Sequence, residues 1–300
     1  MEQRKEFFQQ ELVKLTETNA NTAASFSSTD EPRPIVVACM DERNTLTEEG
    51  LRLVPSQVLR LATGGGRISA EDFLDIYSAE LSSTGAGNTV YLVTHEVIGR
   101  PELGCAAFQN DMEAQEKFFC SLKNSLADKL PEARIHVVSY DTTTGALRPI
   151  DLDERDSEFN LTVQDSQNIR LRHDDQNHAG YGIYVGEAYR AWHGKRNTYF
   201  HISAVAPSLE SDLNIALTVI REHSDVDLSD KPIMLQLDAP HGRPADQLLT
   251  AKANQSVKKF LAQPLVQQLI ESGELQIIRS TTSLENWQGK MVESVLETAE

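Results

Sequence analysis

Apolar residues in this chain fall into short unbroken runs, separated by stretches where they recur every three or four positions. PIVVAC at 34–39 is continuous and β-branched, and reads as a buried strand. SQVLRLA at 56–62, NTVYLVTH at 88–95 and ARIHVVSYD at 133–141 read the same way. Between them, SAEDFLDIYSAELSS opens on Ser69 as a helix cap, and residues 105–130 (CAAFQNDMEAQEKFFCSLKNSLADKL) keep helical spacing. Gly64-Gly65-Gly66 lacks the spacing and the lysine of a phosphate loop and reads as a tight turn. Strand and helix thus alternate, which predicts an α/β domain built on a mostly parallel sheet with flanking helices. In such sheets functional groups collect at the carboxyl ends of the strands.

The flanks read differently. Phe7, Phe8, Leu12 and Leu15 give residues 1–17 an amphipathic helical pattern, and residues 18–33 form a polar connector. Residues 142–180 are polar and poorly periodic, an excursion with one short hairpin. Alternation then resumes. YGIYVGEAYRAWHG reads as a helix, NTYFHISAVA as a strand, ESDLNIALTVIREHS as a helix and KPIMLQLDAP as a strand. A helical stretch broken near Pro264 follows, then the strand LQIIRST and a closing helix from Leu284 to Leu296. The predicted organisation is residues 1–33 as helix and connector, 34–180 as one domain and 181–300 as a second.

The second half repeats features of the first. VYLVTHEVIGRP at 90–101 matches IMLQLDAPHGRP at 233–244, and IHVVSYDTTT at 135 matches LQIIRSTTSL at 275. Two matched strands in the same order predict a duplicated architecture of two similar halves. At the equivalent positions Asp238 replaces His95 and Leu248 replaces Cys105.

Composition narrows the function. The chain has 300 residues, 40% hydrophobic and 24% charged, and a formal net charge of −17. That is a globular profile with enough apolar material for a core. The acidic excess repels phosphate, so no nucleic-acid partner is expected. No apolar run is long enough to cross a membrane, and the N-terminus lacks signal-peptide features, so a cytoplasmic protein is expected. Three cysteines, Cys39, Cys105 and Cys120, are too few for a disulfide framework. Taken singly, each is a small buried hydrophobe, and Cys120 beside Phe118 and Phe119 is assigned to core packing.

Company changes the reading of two of them. Cys39 and His95 both sit where a strand run ends, and Cys105 follows ten positions after His95. Two thiolates and an imidazole suit Zn²⁺, and three ligands leave the open tetrahedral position of a catalytic site. Zinc lowers the pKa of a bound water to roughly 7, which makes hydroxide near neutrality. Asp41 and Arg43 alternate with Cys39 along an extended segment, so all three face one side. An arginine beside a carboxylate keeps it ionised and oriented. Taken alone, that pair is a loop salt bridge. His173, Asp174, Asp175 and His178 are read as polar linker, and His241 as incidental.

Cys-x-Asp-x-Arg at a strand end, followed by a histidine and a cysteine, resembles the β-carbonic anhydrases. The usual β pattern spaces the last two as His-x-x-Cys. The wider gap here, and a second copy without metal ligands, are similar to the carboxysomal (epsilon) branch. Arg60-Leu61-Ala62-Thr63-Gly64 resembles the family's Arg-x-Ala-Gly stretch, with Thr63 intervening. The resemblance implies Cys39, His95 and Cys105 as zinc ligands and Asp41 with Arg43 as the orienting dyad. It implies a β-carbonic-anhydrase-like fold and the reversible hydration of CO₂ to bicarbonate. Asp41 either orients the attacking hydroxide or, in a resting form, binds zinc itself. A site built across two copies is implied, supplied here by the duplicated chain, with a homodimer as the further expected assembly. Carboxysomal proteins carry a substantial N-terminal packaging region, whereas 33 residues precede the first strand here. A free cytoplasmic enzyme is expected rather than a shell resident. Two alternatives use the same residues: hydrolysis of a CO₂-like molecule such as carbonyl sulfide or carbon disulfide, and a catalytically silent, zinc-stabilised assembly module.

Overall fold

A computed structural model describes residues 33–41, 44, 47–51, 53, 58–83, 88–153, 181–186, 199–223, 232–241, 244–283 and 289–292. They fall into two units, one within Thr29–His173 and one within Asp174–Glu300. The expected helix at 1–17, most of the 18–33 connector and the His173–His178 tract lie outside the described residues.

In the first unit, β1 (Ile35–Cys39) runs between β2 (Leu59–Thr63) and β3 (Thr89–Glu96), parallel to both. β4 (Arg134–Asp141) extends the parallel set, and β5 (Leu147–Asp151) turns back antiparallel, giving the order β2-β1-β3-β4-β5. All five residues of β1 and all five of β2 are buried. A strand covered on both faces needs apolar side chains on both, which is why β1 reads as an unbroken run, whereas β2 admits the buried Arg60. The short hairpin expected within 142–180 is not what forms where that stretch is described: β5 instead returns onto β4, and residues 154–180 lie outside the described residues. The short α1 (Thr47–Gly50) follows β1, and α2 (Ala70–Ser83) follows β2. Ser69 caps α2, its Oγ accepting from the Asp72 N–H at 3.0 Å.

α3 (Met112–Ala127) starts seven residues later than the helical spacing predicts. Cys105 is extended, Ala106–Phe108 make one 3₁₀ turn, and Gln109 and Asn110 adopt positive φ of 54° and 62°. Left-handed residues cannot continue a right-handed helix. Asp111 then caps the new one, accepting from the Ala114 N–H at 3.0 Å. The buried face of α3 carries Gln115, Phe119, Leu122 and Leu126, and the helix packs on β3 and β4. Cys120, expected in the core, is only half-buried.

In the second unit, β6 (Tyr181–Val185), β7 (Tyr199–Ile202), β8 (Ile233–His241), β9 (Leu275–Ser283) and β10 (Gly289–Val292) are ordered β10-β9-β8-β6-β7. The three inner pairings are parallel and β9–β10 is antiparallel, the same order and senses as in the first sheet. α4 (Leu209–His223), α5 (Pro244–Leu261) and α6 (Pro264–Glu271) accompany it. The break near Pro264 is real, with proline in the first turn of α6. Among the described residues, no helix is long and apolar enough to cross a membrane.

Two expected helices are strands where they are described. Tyr181–Val185 pairs with both β7 and β8, and Ile183, Tyr184 and Val185 are consecutively buried. That is the signature of a covered central strand, which the aromatic and β-branched residues favour. Gly289–Val292 pairs with Arg279–Thr282 instead of joining a closing helix, because a hairpin return satisfies the ladder at the edge of β9.

Candidate metal centre

Cys39 is the last residue of β1 and His95 the penultimate residue of β3, and those two strands are neighbours. The sheet therefore sets thiol and imidazole side by side at its carboxyl end. Cys105 returns from the loop after β3 to the same place. The three are 6%, 0% and 4% exposed, and one donor atom from each lies within 4.8 Å of the others. The glycine turn completes the floor. The Gly65 N–H donates to Cys39 Sγ at 3.3 Å. Gly65 has φ +72°, and a Cβ there would stand 2.7 Å from the Ala107 Cβ, so only glycine lets the 3₁₀ turn after Cys105 come this close.

The two thiols affect each other's ionisation in opposite senses. The hydrogen bond Cys39 makes to the Cys105 sulfur, then burial, push it well above the ordinary thiol range, with His95 pulling the other way. Cys105 is held below that range, first by the hydrogen bond from Cys39 and also by the backbone N–H groups of Ala107 and Phe108, against the opposing effect of burial. One thiolate is thus favoured before any metal arrives. The Asp41 carboxylate is 21% exposed, and its Oδ2 stands 3.9 Å from His95 Nε2. Arg43 lies outside the described residues.

Sequence reasoning missed the support behind His95. Asn44 is fully buried and places its side-chain amide 3.2 Å from His95 Nδ1. Its carbonyl accepts from Thr47 Oγ1 at 2.8 Å and from Arg60 Nη2 at 3.2 Å. Arg60 in turn pairs with Glu48 at 2.6 Å, both essentially without solvent contact. Arg60, noted in the sequence beside the glycines, therefore reaches the centre through Asn44. The only sequence signal was a polar cluster, Asn44 to Glu48, next to a buried strand.

The donor set fits a divalent ion that prefers sulfur and nitrogen. A tetrahedral ion with bonds of roughly 2.0–2.3 Å suits two thiolates and an imidazole and leaves one position open. The imidazole must then present a bare Nε2 and carry its proton on Nδ1. Asn44 decides whether it can, because the ring tautomer and the amide orientation are coupled. With Asn44 Nδ2 facing the ring, Nδ1 is the acceptor and Nε2 keeps the proton. With Oδ1 facing it, Nδ1–H donates and Nε2 is bare. Asn44 Oδ1 is buried without a hydrogen-bond partner in the first arrangement. The second arrangement turns the amide over and gives up the 3.4 Å hydrogen bond that Asn44 Nδ2 donates to the Asp41 carbonyl, a cost that metal at Nε2 would have to offset.

A cavity of about 200 Å³ opens beside the centre. His95 and Cys105 border it, Val97 and Ile98 come from the loop between them, and Met112 and Gln115 from the first turns of α3. The ten-residue spacing of His95 and Cys105 therefore has a structural product, since its loop walls a small chamber.

Fold and site together define an α/β protein with a buried Cys₂His donor set at the ends of parallel strands. No family model and no curated protein matches the sequence. Among solved structures the chain is similar to a β-carbonic anhydrase, isoform I, of the protozoan Trichomonas vaginalis. The identity is 12%, over 47% of this chain and 96% of that one, with a TM-score of 0.36. A likeness at this level leaves the site to be argued from its own residues.

Proposed function

We propose that this chain is a zinc enzyme of the β-carbonic-anhydrase type that reversibly hydrates CO₂ to bicarbonate and a proton. The observation that carries the reading is the convergence of Cys39, His95 and Cys105. Residues up to 66 positions apart bring their donor atoms within 4.8 Å, beside the Asp41 carboxylate. A purely structural zinc has no use for that carboxylate or for an adjoining chamber. Zinc, when bound, supplies the acidification of water that hydration at neutral pH requires.

The chain's own residues do the rest. Asp41 accepts a hydrogen bond from the attacking water and so orients it, with Arg43 keeping the carboxylate ionised. Val97, Ile98 and Met112 give an uncharged substrate an apolar wall and limit bulk water. The small chamber suits a substrate of a few heavy atoms. Residues 34–180 form the catalytic domain in this reading, and 181–300 a related domain without the ligands. The wide His95–Cys105 spacing and a second sheet of the same order favour the carboxysomal branch within the class.

Metal analysis and stopped-flow CO₂ hydration, on the wild type and Cys39→Ala, test this. About one zinc per chain, with hydration lost in the variant, is expected. Zinc without hydration of CO₂ overturns the activity and turns the same assay to carbonyl sulfide. Protein free of zinc after metal-replete preparation overturns the centre itself.

A further inference from the structure

We infer that Gln115 is a substrate-binding residue whose side-chain Nε2 donates a hydrogen bond to an oxygen of bicarbonate or CO₂ held in the chamber beside His95 and Cys105. The identity of the ligand rests on the proposed function, while the site rests on the following geometry. Gln115 heads the buried stripe of α3, where the three later members are Phe119, Leu122 and Leu126. It is 1% exposed, and its Nε2 is buried with no hydrogen-bond partner. An unpaired amide N–H is costly to bury, and leucine or methionine would continue the stripe without that cost. The residue also borders the chamber. An orphaned donor at the edge of a cavity next to a metal-type donor set calls for an acceptor from outside the protein.

The surroundings define that acceptor. Val97, Ile98 and Met112 are apolar, and the Asn110 amide that also borders the chamber already donates to the Glu102 carbonyl at 2.9 Å, so the Gln115 amide fixes orientation more than it adds affinity. Glu96 also borders the chamber, but its Oε1 accepts from Ser139 Oγ at 2.6 Å and Arg148 Nη2 at 3.3 Å, which draws its charge away. At about 200 Å³ the chamber is small, and a ligand of a few heavy atoms fits within it. A donor in a small apolar chamber selects a compact oxygen acceptor and gives no ligand to a cation. The position is held firmly, because the Gln115 N–H donates to the Asp111 carbonyl at 3.2 Å in the capped first turn.

The test combines binding and kinetics on the zinc-loaded full chain. The side-chain amide resonances of Gln115 are assigned by their absence from the ¹⁵N spectra of Gln115→Leu, or of Gln115→Met should the leucine variant fold poorly. The wild type is then titrated with sodium bicarbonate against sodium chloride of equal ionic strength. Those resonances are expected to shift saturably with bicarbonate alone. In dehydration assays the variants are expected to raise the bicarbonate KM about tenfold, the loss of one hydrogen bond, while retaining zinc. Resonances indifferent to bicarbonate, or a KM within twofold of wild type in a zinc-loaded variant, overturn the inference. Saturable shifts in a wild type that does not hydrate CO₂ uphold Gln115 as the binding residue and overturn the proposed activity. Brisk hydration with an indifferent Gln115 does the reverse.

Discussion

Replacing Asn44 with leucine isolates the support behind the centre. The backbone of Asn44 is fixed independently of its side chain, by its N–H to the Asp41 carbonyl at 3.0 Å and its own carbonyl to Thr47 and Arg60. Leucine keeps the heavy-atom count and the branching at Cγ, though its methyl groups are bulkier, so a circular-dichroism spectrum and melt confirm that the variant holds the fold. What disappears is the amide 3.2 Å from His95 Nδ1, with its longer 3.4 Å hydrogen bond to the Asp41 carbonyl. With zinc on Nε2, the Nδ1–H is then buried and unpaired, a cost of about 1–3 kcal/mol. Part of that cost already falls on the metal-free variant, and removing the orphaned Asn44 Oδ1 offsets some of it. The difference that reaches the metal is expected to be a 10–100-fold loss of zinc affinity, about 1.4–2.7 kcal/mol. Chelator competition measures it directly, and cobalt substitution reports whether the donor set is intact. Asn44→Asp can only accept from Nδ1–H, so it is expected to recover affinity to within a few-fold of wild type despite the cost of burying a carboxylate. An Asn44→Leu protein that binds zinc within twofold of wild type, or an aspartate variant no better than leucine, would refute the argument that this amide acts through His95.

Three further outcomes follow from the geometry. Gly65→Ala forces a side chain into φ +72° and against Ala107; a loss of about 2–4 kcal/mol in denaturant melts is expected from left-handed strain plus overpacking. Arg60→Met leaves Glu48 buried without its partner at 2.6 Å and takes a donor from the Asn44 carbonyl, so about 3–5 kcal/mol should be lost. The thiols set two pH dependences. Zinc must displace the proton of Cys39, which lies well above the usual 9.0, so apparent affinity is expected to fall about tenfold per unit as pH drops, with proton release visible by calorimetry in buffers of different ionisation enthalpy. In the metal-free protein, the neutral Cys39 contributes stability that is fully present below the unfolded thiol value and is lost as pH rises towards the folded one. Cys105, held low, contributes in the opposite sense, and its term is constant above that value. Denaturant melts should therefore show the metal-free fold weakening as pH rises above the unfolded thiol value of about 9, an effect zinc abolishes.

The residues that line up at the centre were legible because two independent signals coincided at each. Cys39 and His95 combine ligand chemistry with the end of an apolar run, and a parallel sheet brings such ends together. The first-half strands were legible for the same reason, since burial on both faces leaves no alternation to misread. Tyr181–Val185 was not, because Gly182 and the polar residues after Gly186 blur a five-residue run into a helix-like spacing. The start of α3 was hidden by Gln109 and Asn110, whose left-handed backbone leaves apolar periodicity undisturbed on either side. Asn44 and Gln115 carried no signal of their own. A polar residue near a cysteine, or within a helix stripe, gains meaning only when the fold shows what it lies beside: His95 Nδ1 for one, a small chamber for the other.

The second sheet shows which part of this arrangement the fold requires. Ile35 lies opposite Val90 in the first sheet, and Tyr181 opposite Ile233 in the second. Counting along from those pairs, Val185 occupies the place of Cys39 and Asp238 the place of His95. Asp238 is not left idle, since its Oδ2 accepts from the Tyr184 hydroxyl at 3.0 Å. Where the first sheet carries a thiol the second carries methyl groups, and where the first carries the imidazole the second has half of a buried hydrogen bond, with strand order and senses the same. The apolar interiors of β1, β3, β6 and β8 therefore build the sheets, and the one or two residues at their carboxyl ends can differ without altering them. Conversely, a centre at that end depends on more than its three donors. The first sheet adds the glycine turn under Cys39, the Asn44–Arg60–Glu48 web behind His95 and the loop that carries Cys105. Cys39, His95 and Cys105 equivalents placed on the second sheet would supply ligands alone, and a firmly held metal would need counterparts of those supports as well.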